Sequence, residues 1–120
     1  MARVYALRRK STLALLRRKE ALRRLLRLPA QAIRASVVER YGTCGKAHCA
    51  CHQGQKHGPY YYLTQCLAPG QIQKFLLKTE ADRQRARAAT AAFNEFYEGL
   101  EELSQLNTEL LRRGESLSDE

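Results

Sequence analysis

Hydrophobic positions along the chain change period twice, from helical to alternating and back. Over residues 2–28, Leu15, Leu22 and Leu26 share one helical face, and Leu16 and Leu25 lie beside it. Arg17, Arg18, Lys19, Arg23, Arg24 and Arg27 fill the remaining circumference. Strong helix formers with this spacing predict an amphipathic helix. Pro29 disfavours α geometry at Leu28 and is expected to end it there. From residue 36 the period is two. Residues 36–41 (SVVERY) predict a strand, residues 59–67 (PYYYLTQCL) a second and residues 71–77 (QIQKFLL) a third. Pro69 and Gly70 sit where a type II turn wants them, so strands two and three form a hairpin.

Helical spacing returns over residues 80–113. Thr79 is the expected N-cap, with Glu80 and Asp82 in the first turn, where negative charge is favoured. Phe93, Leu100 and Asn107 fall on one heptad position and Phe96, Leu103 and Leu110 on another. Such a stripe either packs inside the chain or forms the seam of a homodimer. The fold class expected is α+β: a small antiparallel sheet of about three strands, flanked by a basic N-terminal helix and a long C-terminal helix. The divisions are 1–35 for the helix and linker, 36–78 for the sheet, 79–113 for the long helix and 114–120 for a frayed tail.

Charge sharpens this picture. The chain has 120 residues and a net charge of +9. Residues 1–40 hold 12 Lys/Arg and 2 Asp/Glu, residues 41–79 hold 4 and none, and residues 80–120 hold 5 and 10. A basic half beside an acidic end points to a polyanion partner. Three readings apply to the first helix: a solvated basic face, contacts to a phosphate backbone, or a membrane-surface or transit segment. Phosphate contact is preferred, because arginine presents planar, permanently charged donors to phosphate oxygens. Arg8, Arg9, Lys10, Arg17, Arg18, Arg23, Arg24 and Arg27 are the candidates there. No apolar run is long enough to span a membrane or serve as a secretory signal, so a cytoplasmic location is expected.

Reduced cytoplasmic thiols suggest metal before disulfides. Residues 41–63 gather three of the four cysteines and all three histidines. Cys44, Cys49 and Cys51 supply three thiolates on a loop containing Gly45, and an imidazole completes a tetrahedral zinc shell. His57, just before Gly58-Pro59, is the favoured fourth ligand. Cys66 is the main alternative, with His48 and His52 behind it. Zinc is the expected cofactor. A shell of three thiolates and one imidazole leaves no open position for water, so the site reads as structural and the chain as no enzyme. No phosphate-binding glycine loop, Ser-His-Asp set or zinc-protease helix is present in the sequence. The acids from Glu95 to Glu102 are at spacing expected for a solvated surface.

Tyr60 and Tyr62 share one face of the second strand, and Tyr61 and Leu63 the other. One pair is expected in the core, and the other could stack on bases or a sugar-phosphate backbone beside Lys46, Lys56 and Lys74.

Val38-Glu39-Arg40-Tyr41, Cys44-Gly45-Lys46, Cys49, Cys51, His57-Gly58-Pro59-Tyr60 and Tyr62-Leu63 together resemble a family of small bacterial proteins of unknown function. Its core reads V-E-R-Y…C-G-K-x-x-C-x-C…H-G-P-Y-x-Y-L. The resemblance covers about residues 36–113 and leaves the arginine-rich helix outside. It implies His57 as the fourth ligand. Its loose association with mobile-element genes implies DNA.

The function expected is non-catalytic binding of nucleic acid, DNA before RNA, through the basic helix and the rim of the zinc loop, with Lys46 and Lys56 on that rim. The alternative is a protein-interaction module that forms a homodimer through its C-terminal helix or docks on a larger mobile-element enzyme.

Overall fold

The computed structural model describes residues 3–118. In chain order the elements are α1 (Thr12–Leu25), β1 (Ser36–Gly42), a short 3₁₀ turn (Ala50–Gln53), β2 (His57–Ala68), β3 (Gln71–Leu76) and α2 (Glu80–Arg112). This is the expected α+β fold, with an N-terminal helix, a three-stranded antiparallel sheet ordered β1-β2-β3 and a long C-terminal helix. Ala2, where the first helix was expected to begin, and Asp119 and Glu120 of the tail lie outside the described residues. No helix among the described residues is long and apolar enough to cross a membrane.

The chain forms two compact units. One combines residues 1–30 and 93–120, and the other comprises residues 31–92. The long helix α2 contributes to both.

In the first unit, α1 is shorter at both ends than its leucine pattern predicts. Ser11 is extended and its hydroxyl accepts the Ala14 N–H at 3.1 Å, so the helix is capped there. Residues 3–7 stay outside the helix because other contacts hold them. The Gln105 side-chain amide accepts from the Tyr5 N–H at 2.9 Å and donates to the Arg3 carbonyl at 2.6 Å. Leu7 enters the core with Leu15, Leu22, Leu106 and Leu110, with Tyr5, Leu26 and Leu103 packed around them. At the other end the helix stops at Leu25, before the reach of Pro29. Leu26 is extended, and its side chain lies against Gly99 of α2, where a Cβ would collide with it.

The apolar stripe of α2 is therefore used in part within the chain. Leu103 and Leu110 face the core, joined by Leu106 from a position outside the expected heptad pair. Leu100 remains about half exposed. Arg113 ties the end of α2 to the lead-in of α1. Its guanidinium donates to the Lys10 carbonyl at 2.8 Å, the Thr12 hydroxyl at 3.0 Å and Glu109 at 3.1 Å.

In the second unit, the alternation of β2 sorts its side chains as the period of two requires. Leu63 is buried with Leu77 and Ala86, while Ile33, Ala35, Val37 and Tyr61 pack against them. The Tyr61–Leu63 pair is thus the core pair. The guanidiniums of Arg83 and Arg87 lie 4.6 and 5.4 Å from the centre of the Tyr61 ring. Thr79 caps α2 through its hydroxyl, which accepts the Asp82 N–H at 3.1 Å. The hairpin turn has Gly70 at φ 77°, the value that a type II turn demands.

Candidate metal centre

β1 and β2 converge on the cysteine loop. Arg40 pairs with Tyr60, but Gly42 pairs with His57, so β2 carries one extra residue opposite Tyr41. Gly58 makes that bulge possible. Its φ is 137°, and a Cβ there would sit 2.9 Å from both the Arg40 carbonyl oxygen and the Tyr41 ring. The bulge delivers His57 at the first position of β2 to the loop that leaves β1.

Four side chains meet there. The ligand atoms of Cys44, Cys49, Cys51 and His57 all lie within 4.8 Å of one another. Cys44 Sγ is 3.6 Å from Cys51 Sγ, and Cys49 Sγ is 3.3 Å from His57 Nε2. A tetrahedral shell with metal–sulfur bonds near 2.3 Å and metal–nitrogen bonds near 2.0–2.1 Å has edges of about 3.8 Å and 3.6 Å. The cluster therefore fits a metal ion in both donor type and spacing. All four cysteines of the chain are free thiols, and 3.6 Å is far beyond an S–S bond.

Backbone donors prepare the sulfurs for negative charge. The Cys44 N–H donates to Cys51 Sγ at 3.3 Å. The Cys49 thiol is lowered to about 7, first by the Cys51 backbone N–H and then by hydrogen bonds from Cys51 and Cys44. Burial pushes the Cys51 thiol up, as befits the most enclosed member of the set. A cation at the centre would reverse that penalty, because a coordinating thiol is deprotonated by its metal.

The other candidates for the fourth position lie elsewhere. Cys66 is exposed on β2, and its Sγ donates to the Ala68 carbonyl at 3.3 Å. His48 and His52 are exposed on the loop and stand outside the cluster.

The ten candidate nucleic-acid cations are all exposed. Arg8, Arg9 and Lys10 lie on the non-helical lead-in rather than on a helix. Arg17, Arg18, Arg23 and Arg24 lie on α1, and Arg27 lies past its end. Lys46 and Lys56 occupy the metal loop. Among the described residues, three of them have carboxylate partners. Arg18 makes a two-pronged contact to Glu102, at 2.6 and 2.9 Å. Arg23 and Arg24 bond Glu20 at 2.9 and 3.3 Å. Glu102 corrects the expectation that the acids from 95 to 102 are solvated: it is buried, and Arg18 accounts for its burial. Long-range pairing of this kind leaves no mark in helical spacing.

Arg40 was not among the expected nucleic-acid cations, yet it shares the outer face of the sheet with Lys74, Tyr60 and Tyr62. Strand alternation alone could have found it, since Arg40 pairs with Tyr60, on the face where Lys74 pairs with Thr64, two residues from Tyr62.

No curated protein and no solved structure matches the chain. A protein family described as a domain of unknown function matches residues 14–86, which is more than half of the chain. The match includes most of α1, which the resemblance had placed outside the core, and runs through the whole sheet and metal cluster. The chain belongs to that family, DUF6788.

Proposed function

We propose that the chain is a non-catalytic zinc protein that binds nucleic acid, DNA in preference to RNA, through its exposed cations. Zinc is the ion that suits three thiolates and an imidazole in a closed tetrahedral shell. With four protein ligands the shell offers no position to water, so the metal's work is to hold β1 to β2.

The observation that carries the nucleic-acid reading is the charge around the metal cluster. From Arg40 to Thr79 the sequence has five Lys/Arg and no Asp/Glu. Lys46 and Lys56 stand exposed on the loop itself, and the lead-in and α1 add a second set of exposed cations. Surfaces of this kind neutralise phosphates and release counterions, so affinity should fall steeply with salt. The proposed setting is a bacterium, in the company of a mobile element, as the resemblance implies, with the cytoplasm as the proposed compartment.

Fluorescence anisotropy with a labelled DNA duplex over a salt series tests this. Tight binding at low salt that weakens linearly on a log–log scale supports it. No binding of either duplex or single-stranded DNA at low salt would sink it.

A second reading is favoured by one feature of α2. Tyr97, Leu100 and Leu111 are 46%, 47% and 63% exposed, and Phe93 stacks on Tyr97 with ring centres 6.1 Å apart. This apolar strip suits a homodimer or a larger partner protein. Light scattering on the wild type and on Leu100→Glu separates it from a monomeric nucleic-acid binder.

A further inference from the structure

The outer face of the sheet is a part of the second unit that neither the metal cluster nor the core covers. Leu63 and Tyr61 turn to the core, so Tyr60 and Tyr62 turn away from it. Pairing places Arg40 opposite Tyr60, and Val38 and Leu76 on either side of Tyr62. Tyr60 is 42% exposed and Arg40 and Lys74 are exposed. The Lys74 ammonium lies 5.3 Å from the centre of the Tyr62 ring, held over the sheet rather than extended into solvent. A concavity of about 300 Å³ opens here, lined by Arg40, Tyr60, Tyr62 and Lys74 and bounded by Cys44 and His57 of the metal cluster.

We propose that this face binds single-stranded DNA, with a base stacked on Tyr60 and the backbone phosphates held by Arg40 and Lys74. The proposal rests on the nucleic-acid reading above and narrows it to a strand form and a surface.

Two features of the face and one of the duplex select this occupant. An exposed aromatic ring beside cations on a sheet is the combination that takes unpaired bases, because every base has a face to stack and every linkage a negative charge. A duplex keeps its base faces stacked on one another, so it has nothing to offer Tyr60. Residues 40–79 carry no carboxylate, and Glu39 of β1 pairs with Tyr61 rather than with Tyr60 or Tyr62 and accepts the Tyr41 hydroxyl at 2.8 Å, so the outer face itself presents cations to a polyanion. Each partner has a separate role. Tyr60 supplies stacking. The Tyr62 ring fixes the Lys74 ammonium where a phosphate would pass, and Arg40 offers a planar pair of donors on the opposite strand. The metal cluster sets the end of the groove, since His57 and Tyr60 lie on the same strand three residues apart.

The experiment is anisotropy on the full chain with labelled oligothymidylate, oligouridylate and a DNA duplex, for the wild type and for Tyr60→Ala, Tyr60→Phe and Lys74→Gln. Metal content and helical circular dichroism of each variant establish that it is folded. Oligothymidylate affinity is expected to fall roughly 5- to 150-fold in Tyr60→Ala and to survive in Tyr60→Phe, because the ring is what stacks. Lys74→Gln is expected to reduce the salt slope by about 0.7, the share of one phosphate on a single strand. Duplex affinity should stay unchanged in the Tyr60 variants. Duplex binding with oligothymidylate binding indifferent to both residues overturns this proposal and leaves the wider reading intact. Binding to no nucleic acid overturns both. Binding to oligouridylate alone overturns the assignment to DNA. A polyglutamate peptide that binds with the same Tyr60 dependence, where oligothymidylate does not, overturns it in favour of an acidic protein partner.

Discussion

Arg18 and Glu102 lie 84 residues apart and meet through two parallel hydrogen bonds, Nε to Oε2 at 2.6 Å and Nη2 to Oε1 at 2.9 Å. The pairing holds the Glu102 carboxyl below the usual carboxylate range and raises the Arg18 guanidinium, each chiefly through the hydrogen bond to the other. The Arg18 side chain is 48% exposed and that of Glu102 only 11%. The two partners are therefore unequal when removed. Arg18→Ala strands a nearly buried carboxylate, and a cost of about 1–3 kcal/mol is expected. Glu102→Gln leaves Arg18 half in water and should cost less. Thermal unfolding of both variants checks the order; equal losses would show that burial of Glu102 is unimportant. Arg18 is also engaged where a phosphate would need it. In DNA titrations, Arg17→Gln should lower the salt slope by about 0.9 and Arg18→Gln by less.

Glu109 makes the same unit sensitive to acid. Arg112 donates to it at 2.6 and 2.8 Å and Arg113 at 3.1 Å. The Arg112 hydrogen bond leads in taking its carboxyl down to about 2, from an ordinary 4.5. A depressed carboxylate stabilises the fold fully above its unfolded value, and the contribution disappears as pH falls through the folded one. Helix stability in the wild type should therefore decline between pH 4.5 and 2. Glu109→Gln should flatten that decline while lowering stability at neutral pH. Denaturant melts followed by circular dichroism across this range decide it; parallel curves for the two proteins would refute the assignment.

The sheet and its site were legible in the sequence for a physical reason. A period of two puts Leu63 and Tyr61 on one face whatever else the chain does, and Thr79 caps α2 with a contact only three residues long. The metal cluster likewise gathers residues within a short loop, where spacing limits the possible geometries. The features misplaced in the two helices depend on distant partners, whereas β2 begins at His57 rather than Pro59 because of the local bulge at Gly58. Tyr5 and Leu7 continue an apolar pattern that suits a helix, yet Gln105 and the leucines of α2 hold them outside it. Glu102 sits in a run of surface acids and is distinguished only by Arg18. The heptad of α2 located Leu103 and Leu110 but missed Leu106, because the face that packs is chosen by Leu15 and Leu22.

Gly99 is a weak helix former near the middle of α2, and Leu26 explains its presence. A Cβ at position 99 would run into the Leu26 Cδ2 methyl. Gly99→Ala should therefore forgo the gain of about 1 kcal/mol that alanine normally brings to a helix interior. In a Leu26→Ala background the obstruction is gone and the same substitution should stabilise. A double-mutant cycle by chemical denaturation measures the change. The same effect of Gly99→Ala in both backgrounds would mean that the two residues do not interact.

The metal site makes the last and most direct demand. His57 is brought to the cluster by the bulge at Gly58, and Cys66 lies on the exposed part of β2, bonded to the Ala68 carbonyl. Reduced wild-type protein should bind one zinc ion per chain, measured by competition with a chromophoric chelator. Cys66→Ser should retain the wild-type stoichiometry and affinity. His57→Ala should lose affinity sharply, since it removes a ligand. Gly58→Ala supplies the finer test, because it removes none. Its Cβ would press on the Arg40 carbonyl and the Tyr41 ring from a backbone angle that costs an L-residue about 1–3 kcal/mol. Part of that cost should appear as weaker zinc binding, because folding of the loop and capture of the ion are coupled. Zinc affinity unchanged in Gly58→Ala would show that the bulge does not position His57. Zinc retained by His57→Ala but lost from Cys66→Ser would transfer the fourth position to Cys66.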